Sequence, residues 1–122
     1  MNARRQEHFR RLLLSELQRH AKNIGEEQAQ AVDIGNDDAK SDLTLRAVIQ
    51  ELALKLGDRE SQAVADIDQA LMRMREGSYG LCVRCGHAID ERRLEAVPTA
   101  RYDAECQAAI ENAKGNSAGP SL

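Results

Sequence analysis

Aromatic residues are almost missing from this sequence, which holds no Trp, one Phe and two Tyr. A sheet sandwich with an aromatic-filled core is therefore not expected. Proline is scarce and late: Pro98 and Pro120 leave backbone hydrogen bonding uninterrupted through the first 97 residues. No run approaches the roughly 18 apolar residues that a bilayer span needs. The start, Met1-Asn2-Ala3-Arg4-Arg5-Gln6-Glu7-His8, acquires an acid where a secretory signal turns purely apolar. An excess of basic charge is lacking as well. Lys plus Arg total 17 against 20 Asp plus Glu, a formal net charge of −3, which argues against a broad phosphate-gripping face. There is no Gly-rich phosphate loop, nucleophile elbow or His-Glu-x-x-His helix, so no enzyme is expected. Three cysteines make an odd set for a disulfide framework. They fit a reduced, cytoplasmic chain whose cysteines bind metal or do redox chemistry.

What is present is helical periodicity. Across 122 residues there is room for one domain and little else, and the hydrophobic 42% is mostly Leu, Ala, Val and Ile. From about Arg4 to Val32, Phe9, Leu13, Leu17, Ala21 and Ile24 recur every three or four residues, with Gly25 weakening the pattern locally. Residues 33–41 are rich in turn formers. A second stripe, Leu45, Ile49, Leu52, Leu56, Ala63, Ile67, Ala70 and Met74, extends to about Glu76. As one helix it would be roughly 50 Å long, too long for a small globular core. Ile24 with Ile49, Ala21 with Leu52 and Leu17 with Leu56 share one antiparallel register, whose midpoint falls between Asn36 and Asp37, inside the turn. The sequence predicts a mainly α protein: a long antiparallel two-helix coiled coil over 1–76 with an acidic tip at about 33–42. Two helices of an ordinary bundle are the alternative. Residues 77–114 read as a small zinc-finger-like domain with a C-terminal helix, and 115–122 as a flexible tail. There is no internal repeat.

The finger region carries the chemistry. Cys82-Val83-Arg84-Cys85-Gly86 has the form of a zinc half-site, with two thiolates spaced to bite one tetrahedral ion and a glycine that permits the tight turn. Asp103-Ala104-Glu105-Cys106 begins 18 positions after Cys85 and repeats the spacing, with Asp where the first Cys of a second half-site would stand. Carboxylate oxygen is a permitted zinc ligand, harder than thiolate. One zinc ion on Cys82, Cys85, Asp103 and Cys106, weakly held, is therefore expected. A degenerate finger that folds without metal and a redox role for Cys82 and Cys85 stay open. His87 could replace Asp103, but a His two residues beyond the knuckle usually faces solvent.

With the hairpin pattern ahead of it, the run Tyr79-Gly80-Leu81-Cys82-Val83-Arg84-Cys85-Gly86, followed by Ile89, Arg92-Arg93-Leu94-Glu95-Ala96, Pro98-Thr99 and Cys106, resembles the DksA/TraR family of bacterial transcription factors. The resemblance covers most of the chain. It implies a monomeric factor that binds RNA polymerase directly, without sequence-specific DNA binding. The coiled-coil tip of such a factor enters the secondary channel and alters initiation, commonly with the stringent-response alarmone ppGpp. The family's tip pattern, Asp-x-x-Asp-x-Ala, falls by ungapped counting on Ala39, Asp42 and Thr44, so only Asp42 matches. Asp37 and Asp38 could supply the other negative charge, although all three are also ordinary helix-start residues. Arg59 matches a basic coiled-coil position used against polymerase. Three positions that are basic where ppGpp is bound correspond to Asp66, Val97 and Gln107, which implies a weak or absent ppGpp response. Two other functions remain alternatives. In one, Arg84, Arg92, Arg93 and Arg101 make a nucleic-acid-binding zinc module, despite Asp90, Glu91, Glu95, Asp103 and Glu105 among them. In the other, the site is a zinc- or redox-sensing switch.

Overall fold

The computed structural model describes residues 1–32 and 39–118, the side chains of 39–43 and 116–118 excepted. The chain is mainly α. Among the described residues six helices follow in order: α1 Ala3–Lys22, α2 Glu26–Gln30, α3 Ala39–Lys55, α4 Asp58–Glu76, α5 Glu91–Ala96 and α6 Ala104–Ala118. They divide into two compact units, Met1–Tyr79 and Gly80–Leu122. Among the described residues no helix is long and apolar enough to cross a membrane.

In the first unit, α1 starts at Asn2, whose Oδ1 accepts from the Arg5 backbone N–H at 2.8 Å. Arg19, His20 and Lys22 in its last turn complement the helix dipole. Helix α4 runs antiparallel to α1. Asn23 Nδ2 donates to Glu60 Oε1 at 2.6 Å, His20 Nδ1 lies 3.8 Å from the same oxygen, and at the other end the Phe9 and Tyr79 rings are 5.9 Å apart. An antiparallel helix pair followed by a finger-like unit and a C-terminal helix is what the periodicity predicts.

The length of that pair and its register differ from the prediction. The second stripe is not one helix; it breaks between Lys55 and Asp58, and α3 folds back along α4. Ser61 Oγ donates to the Ala53 carbonyl at 3.0 Å, and Arg46 Nη2 sits 3.4 Å from Asp68 Oδ2. On a continuous helix, residues 22 apart would be separated by about 33 Å. Gly57, extended at φ −69° and ψ 167°, makes the turn, and its carbonyl accepts from the Ser61 N–H at 2.8 Å to open α4. Glycine inside a helix costs roughly 1 kcal/mol relative to alanine, so this is where a long helix yields most readily.

Burial explains why folding back is favourable. Phe9, Leu13, Leu14, Leu17 and Ala21 of α1 are all 0% exposed. A two-stranded hairpin leaves the flanks of such a wide stripe wet; here α4 and the doubled-back α2 both pack on α1, and α3 packs along α4. Ile49 and Leu52 of α3 and Val64, Ile67 and Ala70 of α4 complete the core. Each fully buried Leu, Ile or Phe contributes about 1.5–3 kcal/mol relative to exposure. The predicted register, Ile24 with Ile49 and Leu17 with Leu56, does not describe this unit, because Glu60 is what faces His20 and Asn23. Periodicity identifies the apolar face but not which helix covers it. Helix α2 is set off by the extended Gly25 and doubles back, the Gln18 side chain donating to the Ala29 carbonyl at 3.3 Å.

The second unit has little apolar substance. Its buried hydrophobic residues include Cys82, Ile89, Leu94, Ala100 and Cys106. Asp90 caps α5, its Oδ1 accepting from the Arg92 N–H at 2.8 Å, and turns Leu94 fully inward. Helix α6 continues through Gly115 to Ala118, past the point where composition alone begins a tail.

Candidate metal centre

Two chain turns bring the candidate ligands together. The first is the knuckle. Cys82 N–H donates to the His87 carbonyl at 2.8 Å and Gly86 N–H to the Cys82 carbonyl at 2.9 Å. Gly86 has φ +80°, a left-handed conformation that a side chain would strain. An antiparallel bridge, Leu81 to Ala88, closes the loop. The second is the start of α6, where Asp103 Oδ1 accepts from the Cys106 N–H at 2.7 Å in the manner of a helix cap. The two turns are tied directly: Val83 N–H donates to the Arg101 carbonyl at 2.8 Å, and Arg93 Nε to the Tyr102 carbonyl at 3.0 Å.

The result is one cluster. The Sγ atoms of Cys82, Cys85 and Cys106 and a carboxylate oxygen of Asp103 all lie within 4.8 Å of one another. Ligands bound at about 2.0–2.3 Å around a tetrahedral zinc stand roughly 3.5 Å apart, so small adjustments close the site. Cys82 and Cys106 are buried, Asp103 is half-buried and Cys85 is exposed. The donor set, three sulfurs and one oxygen, suits zinc, and the arrangement is compatible with one such ion. His87 is exposed and stands outside the cluster.

Proton affinity is uneven among the four side chains. Burial resists ionisation of Cys82, yet backbone hydrogen bonds from Asp103, Cys85 and Arg84 outweigh it and lower the thiol to about 7. The Asp103 carboxylate accepts the Cys85 thiol at 3.0 Å and pushes it up to about 12. That same bond, with the Cys106 N–H, holds Asp103 below its ordinary value. Burial, then the Asp103 carboxylate, raises Cys106. The carboxylate thus holds in place, by hydrogen bonding, the thiols that a metal would otherwise draw together.

Sequence reading missed the roles of Arg93 and Arg101. Arg93 Nε grips the chain just before Asp103 through the Tyr102 carbonyl, and the main-chain carbonyl of Arg101 anchors the knuckle, so both positions brace the ligands. Two arginines within one run of a finger gave no signal that distinguishes bracing from binding.

The other candidate residues lie outside this cluster. Asp37 and Asp38 are outside the described residues. Asp42 falls in the first turn of α3, and its side chain is among those not described. Arg59 is exposed in the first turn of α4. Asp66 accepts from Gln62 Nε2 at 3.0 Å, Val97 is 47% exposed, and Gln107 Nε2 donates to Glu111 Oε1 at 3.0 Å.

Comparison with known proteins agrees with this geometry. The family model for the prokaryotic dksA/traR C4-type zinc finger matches residues 77–112. An RNA polymerase-binding transcription factor DksA from Caulobacter vibrioides is 37% identical over 114 residues, 88% of this chain and 76% of that protein. This chain belongs to the DksA/TraR family. Transcription factor DksA2 from Pseudomonas aeruginosa is similar in structure, with a TM-score of 0.61 and 31% identity, covering 93% of this chain and 88% of that one. An uncharacterized protein of Aquifex aeolicus is 41% identical over 66 residues, 54% of this chain but only 46% of its own length. Where the family's finger is of the C4 type, this member has three cysteines, with Asp103 completing the group of four.

Proposed function

We propose that this chain is a non-enzymatic transcription regulator that binds RNA polymerase, as a cytoplasmic monomer. The observation that carries the reading is the 37% identity, over 88% of the chain, with a protein named for binding RNA polymerase. The Cys82, Cys85, Asp103 and Cys106 cluster supports it, since a family finger needs four converging donors. Zinc bound there supplies structure, tying the knuckle to the start of α6; the half-buried carboxylate makes the hold looser than four thiolates would.

The proposed mechanism is delivery of acids into the polymerase secondary channel by residues 33–42, with Asp42 the principal one and Asp37 and Asp38 adding charge. Carboxylates brought to a confined site act through their field on a catalytic metal and nucleic acid, with no proton transfer needed. Arg59, exposed on the first turn of α4, is the proposed coiled-coil contact. Dependence on ppGpp is weak or absent, because an acid, an apolar residue and an amide stand at Asp66, Val97 and Gln107, offering a polyphosphate no cation.

Co-purification with RNA polymerase and in vitro transcription, each run with wild type and Asp42→Asn, test the proposal. Retained binding with a lost transcriptional effect is the expected result. Absence of binding by the wild type contradicts the function itself, and an unchanged transcriptional effect in Asp42→Asn contradicts the tip mechanism.

A further inference from the structure

Among the described residues, helices α1 and α3 both pack against α4 but not closely against each other. The space left between them is a pocket of about 260 Å³ inside the helical unit. Sites for drug-sized ligands run to roughly 300–1,000 Å³, so the occupant this one suits is small. Its walls divide by chemistry. Leu45 of α3 is half-buried and Ile49, Leu71 and Met74 are buried, and together they make an apolar floor. Arginines and acids from all three helices make the sides.

The charged groups do not satisfy one another. Glu7 is taken up on its own helix, by Arg11 Nε at 3.2 Å and Arg10 Nη1 at 3.7 Å. Across the pocket, Arg46 of α3 meets Asp68 of α4 through a single long contact, Nη2 to Oδ2 at 3.4 Å. The next atom of each partner, Arg46 Nε and Asp68 Oδ1, is shielded from solvent and has no hydrogen-bond partner among the described residues. Buried polar atoms without partners are rare in native folds. Here one is a cationic donor and the other an anionic acceptor, side by side at the edge of an apolar floor. An occupant that answers both carries a carboxylate and an ammonium on one small apolar body.

We propose that this pocket binds a free apolar α-amino acid of about the size of leucine. Its carboxylate pairs with the Arg46 guanidinium, its ammonium with the Asp68 carboxylate, and its side chain covers Leu45, Ile49, Leu71 and Met74. The Arg46 side chain, 38% exposed, has room to turn, and the long contact with Asp68 opens to admit the ligand. A simple carboxylate would meet the arginine and the floor but leave Asp68 without a donor. A simple amine would leave Arg46 without an acceptor. The zwitterion answers both and adds no net charge. Arg10 and Arg75, which line the same pocket, keep its field favourable to the carboxylate end.

Amide chemical-shift titration of the full chain tests this with three ligands of one carbon skeleton: L-leucine, isocaproate, which lacks the amine, and isoamylamine, which lacks the carboxylate. Leucine is expected to saturate at one per chain in the millimolar range or tighter, shifting amides around Leu45, Ile49 and Leu71. Isocaproate and isoamylamine should each bind at least about tenfold more weakly, because each leaves a buried charged group unanswered. Asp68→Asn keeps the shape but not the charge, and should abolish the preference for leucine over isocaproate. Leu45→Phe narrows the floor and should weaken leucine by at least about tenfold. No saturable shift with leucine up to about 10 mM, isocaproate binding as tightly as leucine, or a preference that survives Asp68→Asn would each overturn the proposal. Should a substitution unfold the chain, the three-ligand series on the wild type decides alone. No polymerase enters the measurement, so its outcome is independent of the proposed function.

Discussion

The two units of this chain are built on different physics. The helical unit buries a continuous apolar core, with five α1 side chains at 0% exposure, and asks nothing of cysteine because it has none. The finger unit buries few apolar side chains and instead concentrates hydrogen bonds and donor atoms around one point. Segments that small rarely order on apolar burial alone and usually need a metal or a covalent staple. The contrast teaches that stability and chemistry are segregated here: substitutions in one unit should leave the other's defining property untouched.

The largest break in that separation comes from the core. Leu17→Ala removes a fully buried side chain from the α1 face and should destabilise the helical unit by about 2–5 kcal/mol in denaturant unfolding. Zinc content per folded chain should stay at the wild-type value. A parallel loss of zinc would show that the units do not stand apart.

The next tests the donor set. Asp103→Ala removes both a candidate ligand and the cap of the Cys106 N–H, and should weaken zinc binding at least about tenfold in chelator competition. Asp103→Cys restores four thiolates and should tighten it. Unchanged affinity in Asp103→Ala would remove the carboxylate from the site.

A smaller, graded effect is expected with pH. Zinc needs thiolates, but in the metal-free chain Cys85 is pushed up to about 12 by the Asp103 carboxylate, and burial raises Cys106, so both carry protons at neutral pH. Cys82, lowered to about 7, gives up its proton most readily of the three. Binding therefore expels protons, and affinity falls as pH falls, about tenfold per pH unit for each proton released. Affinity independent of pH between about 6 and 8 would contradict this protonation scheme.

Much of this was legible in the sequence, and the illegible part has a physical cause. The ligand set was legible because zinc chemistry dictates both residue type and spacing; Cys82, Cys85, Asp103 and Cys106 satisfy both. Helix existence was legible from the spacing of Phe9 to Ala21 and of Ala63 to Met74, and the antiparallel sense from a hairpin reading whose register the unit does not keep. The reversal at Gly57 was not. A stripe that keeps its phase through Leu56 and Ala63 fits a straight helix and a folded one equally, and only the width of the buried α1 face, with Leu13 and Leu14 both at 0% exposure, calls for a third helix. The bracing by Arg93 was hidden for another reason: its partner is a backbone carbonyl, which has no signature in residue types.

Hydrogen exchange with and without a strong zinc chelator tests most directly whether one ion holds the finger unit while the helical unit stands on its own packing. On zinc removal, amides of the knuckle around Cys82–Gly86 and of α5 and α6 should lose protection, while the α1 and α4 amides around Leu17 and Ile67 keep theirs. Loss of protection in both units together, or in neither, would contradict the account.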